Sequence, residues 1–194
     1  MDLILKQKKL AAFLLYLVVI FTVYAQVVFF GKSLVPSLFY PAGGTGNPHF
    51  SDSLSTLNRF DVDLGSSAFY EQPVNRFIGD LYLSGKLPLW NPFQGSGAPL
   101  AAQYSTRAFF PYQILENLSP YWLWDYFILG RLLIGAFFTY LFLSSLGVSS
   151  RASFLGGIFY AFSGSNTWFI NNEQFMNVAM ILPVVMFSLE KMFS

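Results

Sequence analysis

The chain has no cysteine and a single histidine, His49, among 194 residues. The first absence excludes disulfide staples, thiol nucleophiles and cysteine-ligated metal. The second excludes a histidine metal cluster. Charge is also scarce: 11% of residues are charged, against about 25% in an average soluble domain. Lysines and arginines nearly balance the acids, for a net charge of +1. The cations are dispersed, so the chain presents no basic stripe to a nucleic acid. Apolar residues fill the sequence instead, 54% of it hydrophobic and 20% aromatic. Too little polar surface remains to cover a soluble globule. The composition predicts an integral membrane protein, all-α and polytopic.

Four apolar runs are predicted to span the bilayer: residues 10–30, 122–146, 152–170 and 175–192. Their lengths are near the roughly 20 residues a spanning helix needs. Lys6, Lys8 and Lys9 precede the first run, which predicts a cytoplasmic N-terminus over residues 1–9. That run is too long for a signal-peptide core, and no small-residue cleavage site follows it. Tyr121, Trp122 and Trp124 open the second run as an interfacial belt. Arg151, between the second and third runs, and Lys191, at the end of the fourth, fall on the side of the N-terminal lysines. The short-loop charges therefore agree on one topology. It is a multi-pass protein of the cell membrane with residues 31–121 as a large extracytoplasmic loop. No run shows the repeated glycine and proline breaks of discontinuous transport helices, and no inverted repeat is visible, which argues against a transporter. Ser194 closes the sequence directly after the fourth run, as expected either of a small four-span protein or of a fragment of a longer one.

The loop carries signs of order. Residues 73–84 are predicted to form an amphipathic helix, with Pro73 in its first turn and Val74, Phe77, Ile78, Leu81 and Tyr82 on one stripe. Asn75, Arg76, Gly79 and Asp80 fall on the other side, and Gly85 stands where a C-cap glycine belongs. Such a helix is expected to lie along the outer membrane surface or to dock on the helix bundle. A second short helix is predicted from Pro111 to Leu118. Ala42 to Pro48 reads as a connector. It lacks the GKS/T ending and flanking strand of a phosphate loop. Leu87-Pro88-Leu89-Trp90-Asn91-Pro92, followed by Gly95 to Pro99, excludes a continuous helix and marks a rigid aromatic element. Six of the ten acids lie in the loop: Asp52, Asp61, Asp63, Glu71, Asp80 and Glu116. Asp61 and Asp63 stand two apart before the amphipathic helix. A carboxylate partly desolvated near a membrane surface is suited to work as a general base.

The order of these signals resembles the first external loop of the YfhO family of bacterial membrane proteins. It runs from an acid to Glu71-Gln72-Pro73, then Ser84-Gly85-Lys86-Leu87-Pro88-Leu89-Trp90-Asn91-Pro92, Gly95-x-Gly97-Ala98-Pro99-Leu100 and Phe109-Phe110-Pro111. The likeness continues through Gly156-Gly157-x-x-Tyr160-Ala161-Phe162-Ser163-Gly164 and Leu182-Pro183, so it covers most of the chain after Phe60. Family members are much longer, which would make this chain an N-terminal portion. They are polytopic proteins of the GT-C glycosyltransferase type, so the resemblance implies a GT-C-like fold.

The resemblance also implies a chemistry. GT-C enzymes take a sugar linked to a polyprenyl phosphate as donor and use an acid of the first external loop as base. The acceptor hydroxyl, here on a cell-envelope glycan or glycolipid, attacks the anomeric carbon. Mapped onto this chain, the base is Asp63 or Asp61, with Glu71 the third candidate. The lipid phosphate calls for cationic partners, which Arg131, Arg107 and Arg76 would supply. An arginine within a span is costly and often functional, although Arg131 also fits a structural pair with Asp125 or another helix. Trp90 presents a flat face for a sugar ring, or an interfacial anchor. Asn91 sits beside it in the substrate-binding set, with bracing of the Pro92 turn as its other reading. Asn171, Asn172, Glu173 and Gln174 form a short external turn, either a wall of the acceptor site or simply a polar turn. No metal site is assigned, the loop acids being the only candidate ligands, and no cofactor beyond the lipid-linked donor is implied. The alternative is a non-catalytic membrane scaffold or assembly subunit whose external loop binds a partner or polysaccharide.

Overall fold

A computed structural model describes residues 2–35 and 66–193. Asp61 and Asp63, with His49, Asp52 and the connector Ala42 to Pro48, lie outside the described residues. The chain is mostly helical and divides into two compact units, residues 1–34 with 128–194 and residues 35–127.

The first unit opens with α1, Asp2–Val23, and α2, Ala25–Phe29. The two are separated at Tyr24, whose carbonyl accepts from the amides of both Val27 and Val28. Helix α5, Trp124–Ser145, enters this unit at Ile128. Gly147, at φ +82°, closes it while Val148 N donates back to the Leu143 carbonyl at 3.1 Å, the reversed geometry of a glycine C-cap. Helix α6, Ser150–Ala161, begins where Ser149 Oγ accepts from Ala152 N. It stops at Phe162, where Ser163 caps a separate short helix, α7, Gly164–Trp168. Helix α8, Glu173–Phe193, completes the unit with Pro183 inside it.

Among the described residues, two helices are long and apolar enough to cross a membrane, Tyr121–Ser145 and Glu173–Phe193. The other two of the four expected runs are each divided between two helices. Lys6, Lys8 and Lys9 fall inside every 18-residue stretch of α1, and the turn at Tyr24 keeps that helix from extending past them. The run over 152–170 is not one helix: Ser163 offers a local acceptor to Asn166 N and starts a new turn.

The core of this unit is aromatic and small. Tyr16, 1% exposed, stacks on Phe154 with ring centroids 4.6 Å apart and donates to the Phe154 carbonyl at 2.8 Å. Ala12, Ala136 and Ala161 fill around it. A Cβ on Gly157 would meet the Tyr16 hydroxyl and the Ala136 carbonyl, so glycine there permits the close helix contact that small residues provide in bundles. Large apolar side chains cover the outside as well. Leu10, Leu14 and Val18 on α1 are exposed, as are Val178, Leu182, Val185 and Leu189 on α8.

The second unit is built differently. A π-helical turn, Ser67–Glu71, leads into α3, Gln72–Leu83, with Pro73 in its first turn. Gly85, at φ +73°, ends it while Lys86 N reaches back to the Leu81 carbonyl at 2.9 Å. A short antiparallel pair follows, β1, Trp90–Asn91, and β2, Ala98–Pro99, with Trp90 opposite Pro99 and Asn91 opposite Ala98. Helix α4, Pro111–Leu118, starts on its proline and packs against α3. The two approach so closely that a Cβ on Gly79 would strike the backbone carbonyl of Asn117.

Candidate functional site

The second unit buries polar side chains as fully as apolar ones. Val74, Ile78, Leu100 and Ala108 form its small apolar core. Beside them, Glu71, Gln72 and Asn75 on one helical segment and Gln113, Glu116 and Asn117 on α4 are each 3% exposed or less. Asn75 and Gly79, assigned by the helical stripe to the side away from the core, are buried, so α3 is covered on more than its apolar face. Gln113 is the junction of this layer: its Nε2 donates to Glu116 Oε2 and to Asn117 Oδ1, each at 3.0 Å. Buried polar groups are tolerated when hydrogen-bonded, and these bonds tie three buried side chains of α4 to one another.

Glu71 and Arg107 are brought together at the edge of this layer. Arg107 Nη1 lies 3.9 Å from Glu71 Oε2, and both side chains are at least nine-tenths buried. The backbone of Arg107 takes the left-handed conformation, φ +46°, the only described non-glycine residue to do so. That conformation is unfavourable for a long side chain and persists where its surroundings enforce it. The enforcing contacts are local. Thr106 Oγ1 donates to the Leu100 and Gln103 carbonyls, Phe110 N donates to the Arg107 carbonyl, and Tyr82 donates its hydroxyl to the Ala108 carbonyl at 2.8 Å. Burial pushes the Tyr82 phenol above its ordinary value, keeping it a neutral donor.

The aromatic hairpin is held by its own turn. Asn91, 4% exposed, accepts from Phe93 N at its Oδ1, 3.0 Å away, so its side chain replaces a backbone partner at the Pro92 turn. A Cβ on Gly97 would overlap the Trp90 indole, which therefore lies against that glycine. Leu100 N closes the hairpin on the Leu89 carbonyl at 2.9 Å. The outer surface remains apolar and open: Leu87, Leu89, Trp90 and Phe93 are all more than half exposed, Phe93 at 80%.

Arg76 is placed away from the buried pair, on the surface of α3. Its Nε stands 3.4 Å from Asp80 Oδ1, and its guanidinium lies 5.7 Å from the centre of the Tyr121 ring. Arg131 belongs to the first unit. It is 1% exposed, and its Nε donates to Asn177 Oδ1 on α8 at 2.8 Å. One of its partners is thus on another helix. Glu173, one turn before Asn177 on α8, is also buried. Among the described residues no group of three His, Cys, Asp or Glu is placed to hold a metal ion.

Sequence reasoning missed the polar layer of α3 and α4, and it missed Asn177. The signal was present in the first case. Gln72, Asn75 and Gly79 recur at helical spacing, as do Gln113, Glu116 and Asn117, and two such stripes on neighbouring helices are able to face each other.

The chain is mostly helical and, among the described residues, two helices are long and apolar enough to cross a membrane. No protein-family model, curated protein or solved structure matches it.

Proposed function

We propose that this chain is a membrane glycosyltransferase that moves a sugar from a polyprenyl-phosphate-linked donor to an extracytoplasmic cell-envelope acceptor. The observation that carries the reading is a separately packed, polar-cored unit inserted in the sequence between apolar helices, with the motif-bearing residues ordered as a hairpin. In this reading α1 with α2, α5, α6 with α7, and α8 make four passes in a GT-C-like arrangement. The N-terminus is cytoplasmic and residues 31–121 are outside.

The base is Asp63, with Asp61 second. Glu71 is committed to a buried arrangement with Arg107, which suits holding the loop better than meeting an acceptor. The base takes the acceptor hydroxyl proton, the hydroxyl oxygen bonds to the anomeric carbon, and the anomeric C–O bond to phosphate breaks, its electron pair leaving with polyprenyl phosphate. Trp90, over half exposed, offers its indole face to a sugar ring. Arg76, partly exposed on α3, is the cation for the lipid phosphate, and Arg107 supports the loop.

The test is transfer of radiolabelled sugar from the lipid-linked donor in membranes carrying Asp63→Ala, Asp61→Ala or both. Loss of transfer in the double variant at normal membrane abundance is expected. Retained transfer would refute the base assignment. The scaffold reading is favoured by one observation, the exposed apolar group of Leu87, Leu89, Trp90 and Phe93. It predicts that no substitution of a loop acid affects transfer.

A further inference from the structure

In the first unit, a groove of about 430 Å³ opens between α1, α5 and α6. Lys8 on α1 and Arg151 on α6 stand among its lining residues, both exposed, and no acid lines it. Neither cation has an ion-pair partner among the described residues. Tyr140, 3% exposed, contributes its hydroxyl, which lies 3.2 Å from Ser150 Oγ. The rest of the lining is apolar. Ala11 and Ala12 leave space beside α1, while Leu15 and Leu155 are each just over half exposed. Two cations and two hydroxyls therefore share one cavity with an apolar lane.

We propose that this groove binds an anionic phospholipid of the surrounding leaflet. Lys8 and Arg151 take the head-group phosphate, and an acyl chain runs along Ala11, Leu15 and Leu155. Charge complementarity selects an anion, since the site holds two cations against no acid. The apolar lane selects a lipid over free phosphate, because inorganic phosphate gains nothing from burying hydrocarbon. Basic residues beside a membrane span are a recognised means of holding anionic head groups. The small side chains of Ala11 and Ala12 provide the room a bulkier pair would fill. The proposal rests on the membrane placement of this unit, not on sugar transfer, and would survive the loss of the base assignment.

The test uses the full chain in detergent, with native mass spectrometry counting retained phosphatidylglycerol against phosphatidylcholine. Phosphatidylglycerol should be retained several-fold better. Lys8→Gln with Arg151→Gln should reduce that retention by roughly ten-fold. Ala11→Phe, which keeps every charge and sits at an exposed position, should reduce it too. Lys9→Gln with Lys191→Gln removes the same charge outside the groove and should leave retention unchanged. Equal retention of the two lipids would overturn the proposal. So would an equal fall in the Lys9 and Lys191 variant, which would indicate diffuse attraction, or displacement of the lipid by equimolar inorganic phosphate. Circular dichroism on each variant shows that the comparison is made between folded proteins.

Discussion

The two units solve the problem of burial in opposite ways. The unit of α1, α2 and α5 to α8 closes on Tyr16, Ala136, Ala161 and Gly157, and it leaves large apolar side chains on the outside as well. The unit of α3, the hairpin and α4 has a core of four small or medium apolar residues. Its interior is completed by amides and carboxylates, Gln72, Asn75, Gln113, Glu116 and Asn117, with Glu71 and Arg107 at the edge. A helix pair in lipid gains little from the hydrophobic effect and depends on close packing. A small unit in water has little apolar area to bury and must satisfy what polar area it encloses. On the proposed topology, the contrast in interiors is the contrast expected of two solvents.

That comparison can be broken by substitution. The largest effect is expected for Arg107→Ala. Removing one member of a buried ion pair leaves the other charge uncompensated, at about 3–5 kcal/mol. Thermal unfolding followed by tryptophan fluorescence should show it, and Glu71→Gln added to it should cost much less than on its own. Next comes Gly157→Val in the apolar unit. It forces side-chain volume into the Tyr16 contact and should cost about 1–3 kcal/mol or more, read as a lower midpoint for detergent-solubilised protein. Asn177→Leu should cost about 1–3 kcal/mol by removing the acceptor for Arg131 Nε. A smaller loss would mean that the arginine is held by its remaining contacts. Asn91→Ala removes one turn hydrogen bond, worth roughly 0.5–1.5 kcal/mol, and should show first as faster proteolysis within residues 87–100. Asp80→Asn, breaking only the exposed pair with Arg76, should stay below about 1 kcal/mol. If Arg107→Ala proved as mild as Asp80→Asn, the polar interior would not be what holds the second unit together.

Part of this architecture was legible in the sequence. A mostly helical chain with long apolar helices follows from composition and run length, because Tyr121–Ser145 and Glu173–Phe193 need no tertiary information to read as such. Proline at the starts of α3 and α4 and glycine after α3 are local signals with local causes. The break at Phe162 was not read, because it depends on a single serine whose hydroxyl outcompetes helix continuation. Burial of Asn75 and Gly79 was not read, because helical periodicity assigns a face to one helix without knowing the face its neighbour presents. In the candidate site, the presence of Glu71, Trp90 and Asn91 in motif positions, and of Arg107 between two motifs, was legible. The proximity of Glu71 and Arg107 was not, since it depends on the left-handed turn at Arg107.

The measurement closest to the central claim is the sidedness of the polar unit, and the lack of cysteine in the natural chain makes it clean. Ser96→Cys places a thiol in the exposed hairpin turn, and Val148→Cys places one between α5 and α6. In intact cells a membrane-impermeant maleimide should label the first and reach the second only after permeabilisation. Protection of Ser96→Cys in intact cells, or equal labelling of both, would contradict a membrane protein that presents this loop to the outside.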